Sequence, residues 1–207
     1  MAIPKPTLLI ACGALGREVT QLIRGNGWRC FEVQCLPAIL HNTPSAIVPA
    51  MREKIAAAKS GNRYGKILAL FGDCGTGGLL DQFLEQEGVE RIAGDHCYNF
   101  FAGKYQFEQM MDEEIGTFFL TDYLARFFDR LIISGLGIDR NPELLGMYFG
   151  NYTRLVYLAQ TDDPEIDSIA RAAAARLGLS YERKSTGYGG LGTFLQVHAG
   201  EGSTWPI

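Results

Sequence analysis

Apolar and polar positions along this chain follow two periods, and the switching between them predicts the fold. The apolar run LLIA ends at Cys12 and Gly13 and gives way to ALGREVTQLIRGNG. There Leu15, Val19, Leu22 and Ile23 share one helical face ahead of a Gly25-Asn26-Gly27 stop. Residues 28–36 read as a second strand through CFEVQCL. A loop with His41 follows, and Thr43 or Ser45 is placed to cap a helix over AIVPAMREKIAAAKS. KILALFG is a third strand, apolar enough to require cover on both faces, as parallel sheets do. DCGTGGLLDQFLEQEG is a glycine-rich turn opening a helix that stops at Gly88. VERIAG is a short fourth strand, and HCYNFFAGKYQFEQMMDEE continues as one helix.

After Glu114 the rhythm changes. GTFFLTDYLARFFDRLIISGLG begins as a strand and runs into a long aromatic helix, and NPELLGMYFGNY carries an N-cap at Asn141 with proline at the first helical position. TRLVYLAQ is a further strand, TDDPEIDSIARAAAARLG an amphipathic helix stopped by Gly178, and LSYERKS a closing strand. Strands alternating with helices of about ten to fifteen residues predict βαβ units. The expected class is α/β and Rossmann-like, a mainly parallel sheet with helices on both faces. It forms a single domain over 1–207 or two small lobes divided near 115.

Composition removes several function classes. With 47% hydrophobic and 20% charged residues the chain is neither disordered nor fibrous. The net charge is -4 and the 19 Lys and Arg are scattered, so no nucleic-acid surface is expected. No apolar run reaches the roughly 18 residues of a membrane span, and the N-terminal run, with Lys5 as its basic residue, reads as a buried strand rather than a signal segment. The five cysteines form an odd set without the dense spacing of a disulfide scaffold. Reduced thiols and a cytoplasmic location are expected, with a small-molecule substrate and no membrane partner.

Three of those cysteines and two of the three histidines stand at predicted strand ends: Cys12, His41, Cys74, and the adjacent His96 and Cys97. In a parallel sheet these ends converge on the edge where open α/β folds bind ligands. Thiolates with imidazole suit zinc before other metals, and ligands drawn from separate strand ends resemble a catalytic site more than a zinc finger. Asp73 and Asp95 could orient an imidazole, and Glu18 could act as base or oxygen ligand. Each cysteine taken singly also reads as core, since free cysteine packs as a small hydrophobe. Cys30 and Cys35, in an alternating strand, read as packing, and His198 as a solvent-facing residue of a glycine-rich tail.

Two glycine motifs say less than they spell. GYGGLG matches GxGxxG, but no helical pattern or βαβ unit follows, so it is not a dinucleotide fingerprint. GDCGTGG lacks the P-loop lysine, yet Gly75, Gly77 and Gly78 at a helix start could offer backbone amides to an anion.

The motifs ACGALGREV, LPAILHNTP, GDCGTGGLLD, GDHCYNFFAG, GTFFLTDYLARFFDRL, GLGIDRNPELL and YFGNYTRLVYLAQTDDPE together resemble the DUF1638 family over about residues 5 to 195. The family motifs place cysteine at Cys12, Cys74 and Cys97 and histidine at His41 and His96. Some relatives are associated with corrinoid-dependent methyl transfer. The resemblance therefore implies one-carbon or methyl-group metabolism, with a corrinoid, a corrinoid protein or a methyltransferase as partner. Three readings stand at this point: a zinc-dependent methyltransferase, a non-enzymatic metal or corrinoid carrier or assembly factor, and a metal-free thiol or redox enzyme.

Overall fold

The computed structural model describes residues 5–200, and contacts divide it into two compact units. The first runs to Phe100 and resumes at Gly190; the second spans Phe101–Gly189, so the change of rhythm near 115 falls inside the second unit. Both are α/β with parallel sheets flanked by helices, a Rossmann-like arrangement. No helix among the described residues is long and apolar enough to cross a membrane.

In the first unit the order is β1 (Thr7–Cys12), α1 (Gly16–Gly25), β2 (Phe31–Leu36), α2 (Ile47–Ser60), β3 (Lys66–Leu70), α3 (Leu79–Glu87), β4 (Glu90–Arg91) and the start of α4 (Cys97–Ala102), whose last two residues belong to the second unit. The strands lie β2-β1-β3-β4, every pairing parallel, with Leu9 opposite both Val33 and Leu68. The central strand is covered on both faces: Leu8 to Ala11 and Leu68 to Leu70 are fully buried. The loop after β2 holds two short 3-10 turns, Ala38–Asn42 and Pro44–Ala46. α2 begins without a side-chain cap, so neither Thr43 nor Ser45 plays that part.

The second unit follows with α5 (Lys104–Glu113), β5 (Thr117–Leu120), α6 (Asp122–Arg126), α7 (Leu144–Phe149), β6 (Arg154–Ala159), α8 (Pro164–Leu177) and β7 (Ser180–Ser185), its strands ordered β5-β6-β7. Asp163 caps α8 through the Glu165 amide, and Gly178 ends it in a left-handed conformation. The expected continuous helix from His96 is broken into α4 and α5 at Gly103, whose φ of 80° a side chain rarely adopts. The long aromatic helix is instead short α6 followed by a π-helical turn over Asp129–Ile133.

One reading is overturned in the returning segment. A helix, α9 (Gly189–Ala199), does follow the GYGGLG motif. Leu191 and Leu195, four apart and both fully buried, hold one side of it in the core, although its glycines hide the helical pattern. His198, expected to face solvent, lies on that helix with its ring within 3.1 Å of Glu90 Oε1 and 3.2 Å of Lys66 Nζ.

Candidate functional site

The carboxyl end of the first sheet gathers its chemistry from three successive strand exits. Cys12 closes β1 and is buried; its sulfur accepts from the Ala14 amide at 3.4 Å as the chain turns into α1. Cys74 follows β3 in the GDCGTGG loop and Cys97 opens α4 after β4. Gly72 lets these last two exits meet. A Cβ on it would stand 2.7 Å from the Asp95 carbonyl oxygen and 3.1 Å from His96 Cα, so only glycine allows the backbones to pass. The Cys74 amide then donates to the Asp95 carbonyl at 2.9 Å. Cys74 itself has φ 49°, a left-handed conformation uncommon outside glycine, which costs a residue with a Cβ about 1 kcal/mol.

Burial dominates the electrostatics of the three thiols. It pushes Cys12 to about 12, the Ala14 amide pulling back and the charges of Cys74 and Cys35 adding to the rise. It pushes Cys74 to about 11, with Gly72 and Arg91 pulling back and Asp73 adding. Cys97 is held well above the ordinary thiol range, first by burial and then by the charges of Cys12, Cys74 and Glu18. Each of the three is thus close enough to a neighbour for its charge to be felt. Glu18, in the first turn of α1 and 3% exposed, brings a buried carboxyl to the same place.

His41 completes the set from the 3-10 turn after β2. Its ring stacks on Phe71 at 5.9 Å, and both ring nitrogens lie 4.0 Å from Cys12 Sγ. Nδ1 sits 2.8 Å from the Ala38 carbonyl oxygen. That contact makes Nδ1 the donor and leaves the lone pair on Nε2, the usual way a ligating imidazole is oriented. His96 is exposed beside α4, its amide donating to Asn99 Oδ1 at 3.0 Å.

The acids and glycines of the loop are engaged locally. Asp73 accepts from the Thr76 hydroxyl at 2.6 Å and from the Gly78 and Gly77 amides at 2.8 and 3.1 Å. Burial raises its carboxyl, but these bonds outweigh that and hold it below the usual range. The Gly77 and Gly78 amides expected to greet an anion therefore already serve Asp73, and a Cβ added at Gly75 would stand 3.3 Å from Pro44 Cγ. Asp95 is exposed and contributes its carbonyl rather than its carboxylate. Cys35 is exposed rather than packed in the core, because its strand runs along the sheet edge. Its sulfur still lies close to Gly16, 2.9 Å from where a Cβ would stand.

Arg91 went unnoticed in the sequence. From β4 its guanidinium donates to the carbonyls of Ile92 and Gly94, both at 2.9 Å, pairs with Asp81, and lowers the Cys74 thiol. Only the strand register places this cation beside the Cys74 loop. A second strand-end cluster, in the other unit, also carried no signal. Asp122, 3% exposed after β5, accepts from Tyr157 Oη at 2.7 Å, the Gln160 amide at 3.0 Å and Thr161 Oγ1 at 2.6 Å.

The donor set at the first sheet suits a soft cation. In a tetrahedral zinc centre, bonds of about 2.3 and 2.0 Å place sulfur and nitrogen ligands about 3.5 Å apart; the Cys12–His41 contact, at 4.0 Å, is wider. Among the described residues no group of three or more His, Cys, Asp or Glu stands in metal-holding geometry. Holding a cation therefore requires the side chains to close inward.

No curated protein and no solved structure matches the chain. The family model described as "Protein of unknown function (DUF1638)" matches residues 35–195, which carry His41, Cys74, His96 and Cys97 together with both sheets' later strands, and the chain belongs to that family.

Proposed function

We propose that the protein binds one soft divalent cation, zinc first, through Cys12, Cys74 and Cys97, with His41 rather than the exposed His96 as the nitrogen donor. The supporting observation is that one buried thiol, Cys12, and two half-buried ones, Cys74 and Cys97, come from three separate strand exits close enough for the charges of Cys12 and Cys74 to act on Cys97. Removing water from a thiol keeps it protonated; a cation supplies the charge that offsets the loss of the proton. The same fact tells against a metal-free nucleophile. A thiol with a pKa of about 11 is ionised to only roughly one part in 10⁴ at pH 7.

The reaction class we propose is methyl transfer involving a thiol, within one-carbon metabolism. It rests on the family resemblance, as does the link to a corrinoid. Zinc in such a site lowers the pKa of a substrate thiol and holds it ready for alkylation. The three cysteines would hold the ion, and His41, kept in the correct tautomer by Ala38, would be the ligand that a substrate thiol displaces, with Glu18 as acceptor of that thiol's proton near Cys97. A carrier or assembly factor would use the same centre without turnover.

The test is metal content and affinity in protein purified under reducing, oxygen-free conditions. About one zinc per chain is expected, with thiolate-to-metal absorption on cobalt substitution, and Cys97→Ser should weaken zinc more than 100-fold. Fully reduced protein that neither retains nor takes up zinc or cobalt would sink the reading.

A further inference from the structure

A groove beside the thiol cluster, within the first unit, is not used by the reading above. It encloses about 410 Å³ between α2 and the segment running from Gly75 into α3, a volume suited to a small molecule. Val48, Leu79 and Phe83 form an apolar wall, and Arg52, Gln82 and Gln86 supply polar groups; no carboxylate lines it. The Arg52 guanidinium lies 4.3 Å from the Phe83 ring centroid, so its position is set by a buried aromatic. Lys59, Arg63, Lys66 and Arg91 of this unit each pair with a carboxylate. Among the described residues Arg52 has no such pair.

We propose that this groove binds a small organic carboxylate with an apolar body. A guanidinium takes a carboxylate through two parallel hydrogen bonds, and the carboxamides of Gln82 and Gln86 can complete its polar rim. The body of the ligand would lie on Leu79 and Phe83. One cation without available loop amides is poorly matched to a dianion, because the Gly77 and Gly78 amides serve Asp73. The groove also touches both loops of the thiol cluster, through Pro44 and Ser45 beyond His41 and through Gly75 and Thr76 beyond Cys74. The inference stands without the metal reading and is tested on metal-free protein.

The full chain would be titrated with benzoate, phenylacetate and hexanoate, each beside its neutral amide, and with inorganic phosphate, following backbone and methyl NMR signals. At least one acid should shift the Leu79 and Phe83 signals saturably, with Kd about 1 mM for a ligand of this size. Its amide should bind about tenfold more weakly, and Arg52→Gln, an exposed change checked for an unaltered melting temperature, should weaken the acid by a similar factor. Three acids without saturable shifts, equal binding of acid and amide, or an Arg52→Gln variant of undiminished affinity would each overturn the proposal. Tighter binding of phosphate than of any acid would overturn the assigned ligand class.

Discussion

The carboxyl ends of the two sheets bury polar chemistry of opposite kinds. In the second unit Asp122 is enclosed by donors at 2.6 to 3.0 Å from Tyr157, Thr161 and Gln160, while its own amide donates to Gln160 Oε1 at 2.7 Å. In the first, the Cys12 sulfur has an amide at 3.4 Å and an imidazole at 4.0 Å. A closed network of short bonds fixes the backbone and leaves little to offer a ligand. Buried thiols with long contacts contribute less to the fold and keep their donor atoms for something else. Strand-end position alone therefore does not mark a ligand site; what matters is whether the groups there are already satisfied.

Alkaline titration should separate the two ends most strongly. In the folded chain Cys12 ionises at about 12 and Cys74 at about 11, against an ordinary 9.0, and Cys97 is raised as well. Below pH 9 folded and unfolded chains both keep these protons. Above it the unfolded chain releases them first, so stability falls as pH rises toward the folded values. Between pH 7 and pH 10 Cys12 and Cys74 each cost about 1.4 kcal/mol, and Cys97 adds to the loss in the same direction. Hydrogen exchange at the β1 and β6 amides of metal-free protein should show the loss in the first unit, and Cys12→Ala, Cys74→Ala and Cys97→Ala combined should flatten it. Equal sensitivity of β1 and β6 over that range would erase the distinction.

Truncation of one group at each end is the next largest test. Asp122→Ala leaves the Tyr157 hydroxyl, the Thr161 hydroxyl and the Gln160 amide without their acceptor, at a cost of about 3 kcal/mol. Cys97→Ala removes a small apolar group and should cost about 1 kcal/mol. Urea denaturation with exchange at β6 and β1 reads the two separately, and a Cys97→Ala loss as large as that of Asp122→Ala would mean the thiol edge is structural.

Much of this was legible in the chain. β1 and β3 are apolar runs because both sheet faces are covered, Cys12 closes the first and Cys74 lies in the turn four residues past the second, so the strand-end positions could be read directly. The order β2-β1-β3-β4 could not, because parallel register depends on crossovers that leave no periodic mark. Arg91 and Asp122 were missed for the same reason: a charged residue beside a strand end acquires meaning only from the neighbouring strand's loop. α9 was hidden because GGLGTFLQVHA is rich in glycine, and only the burial of Leu191 and Leu195 makes it a helix. The loop amides were read as available because nothing in GDCGTGG says that Asp73 will turn back on Gly77 and Gly78.

Cys74 offers the smallest effect and the sharpest sign. Its φ of 49° is one that glycine adopts at no steric cost, whereas any residue with a Cβ is strained there. A residue retained only for the fold would gain from becoming glycine; a cysteine held in this conformation is maintained against the backbone's preference, as strained residues at functional sites are. Cys74→Gly and Cys74→Ala both delete the thiol and should both weaken zinc, so their difference isolates the backbone. Cys74→Gly should be the more stable of the two by about 1 kcal/mol in urea denaturation of the metal-free protein. If Cys74→Ala is as stable as Cys74→Gly, the conformation carries no strain, and its use as a sign of selection for the thiol fails even if the metal is bound.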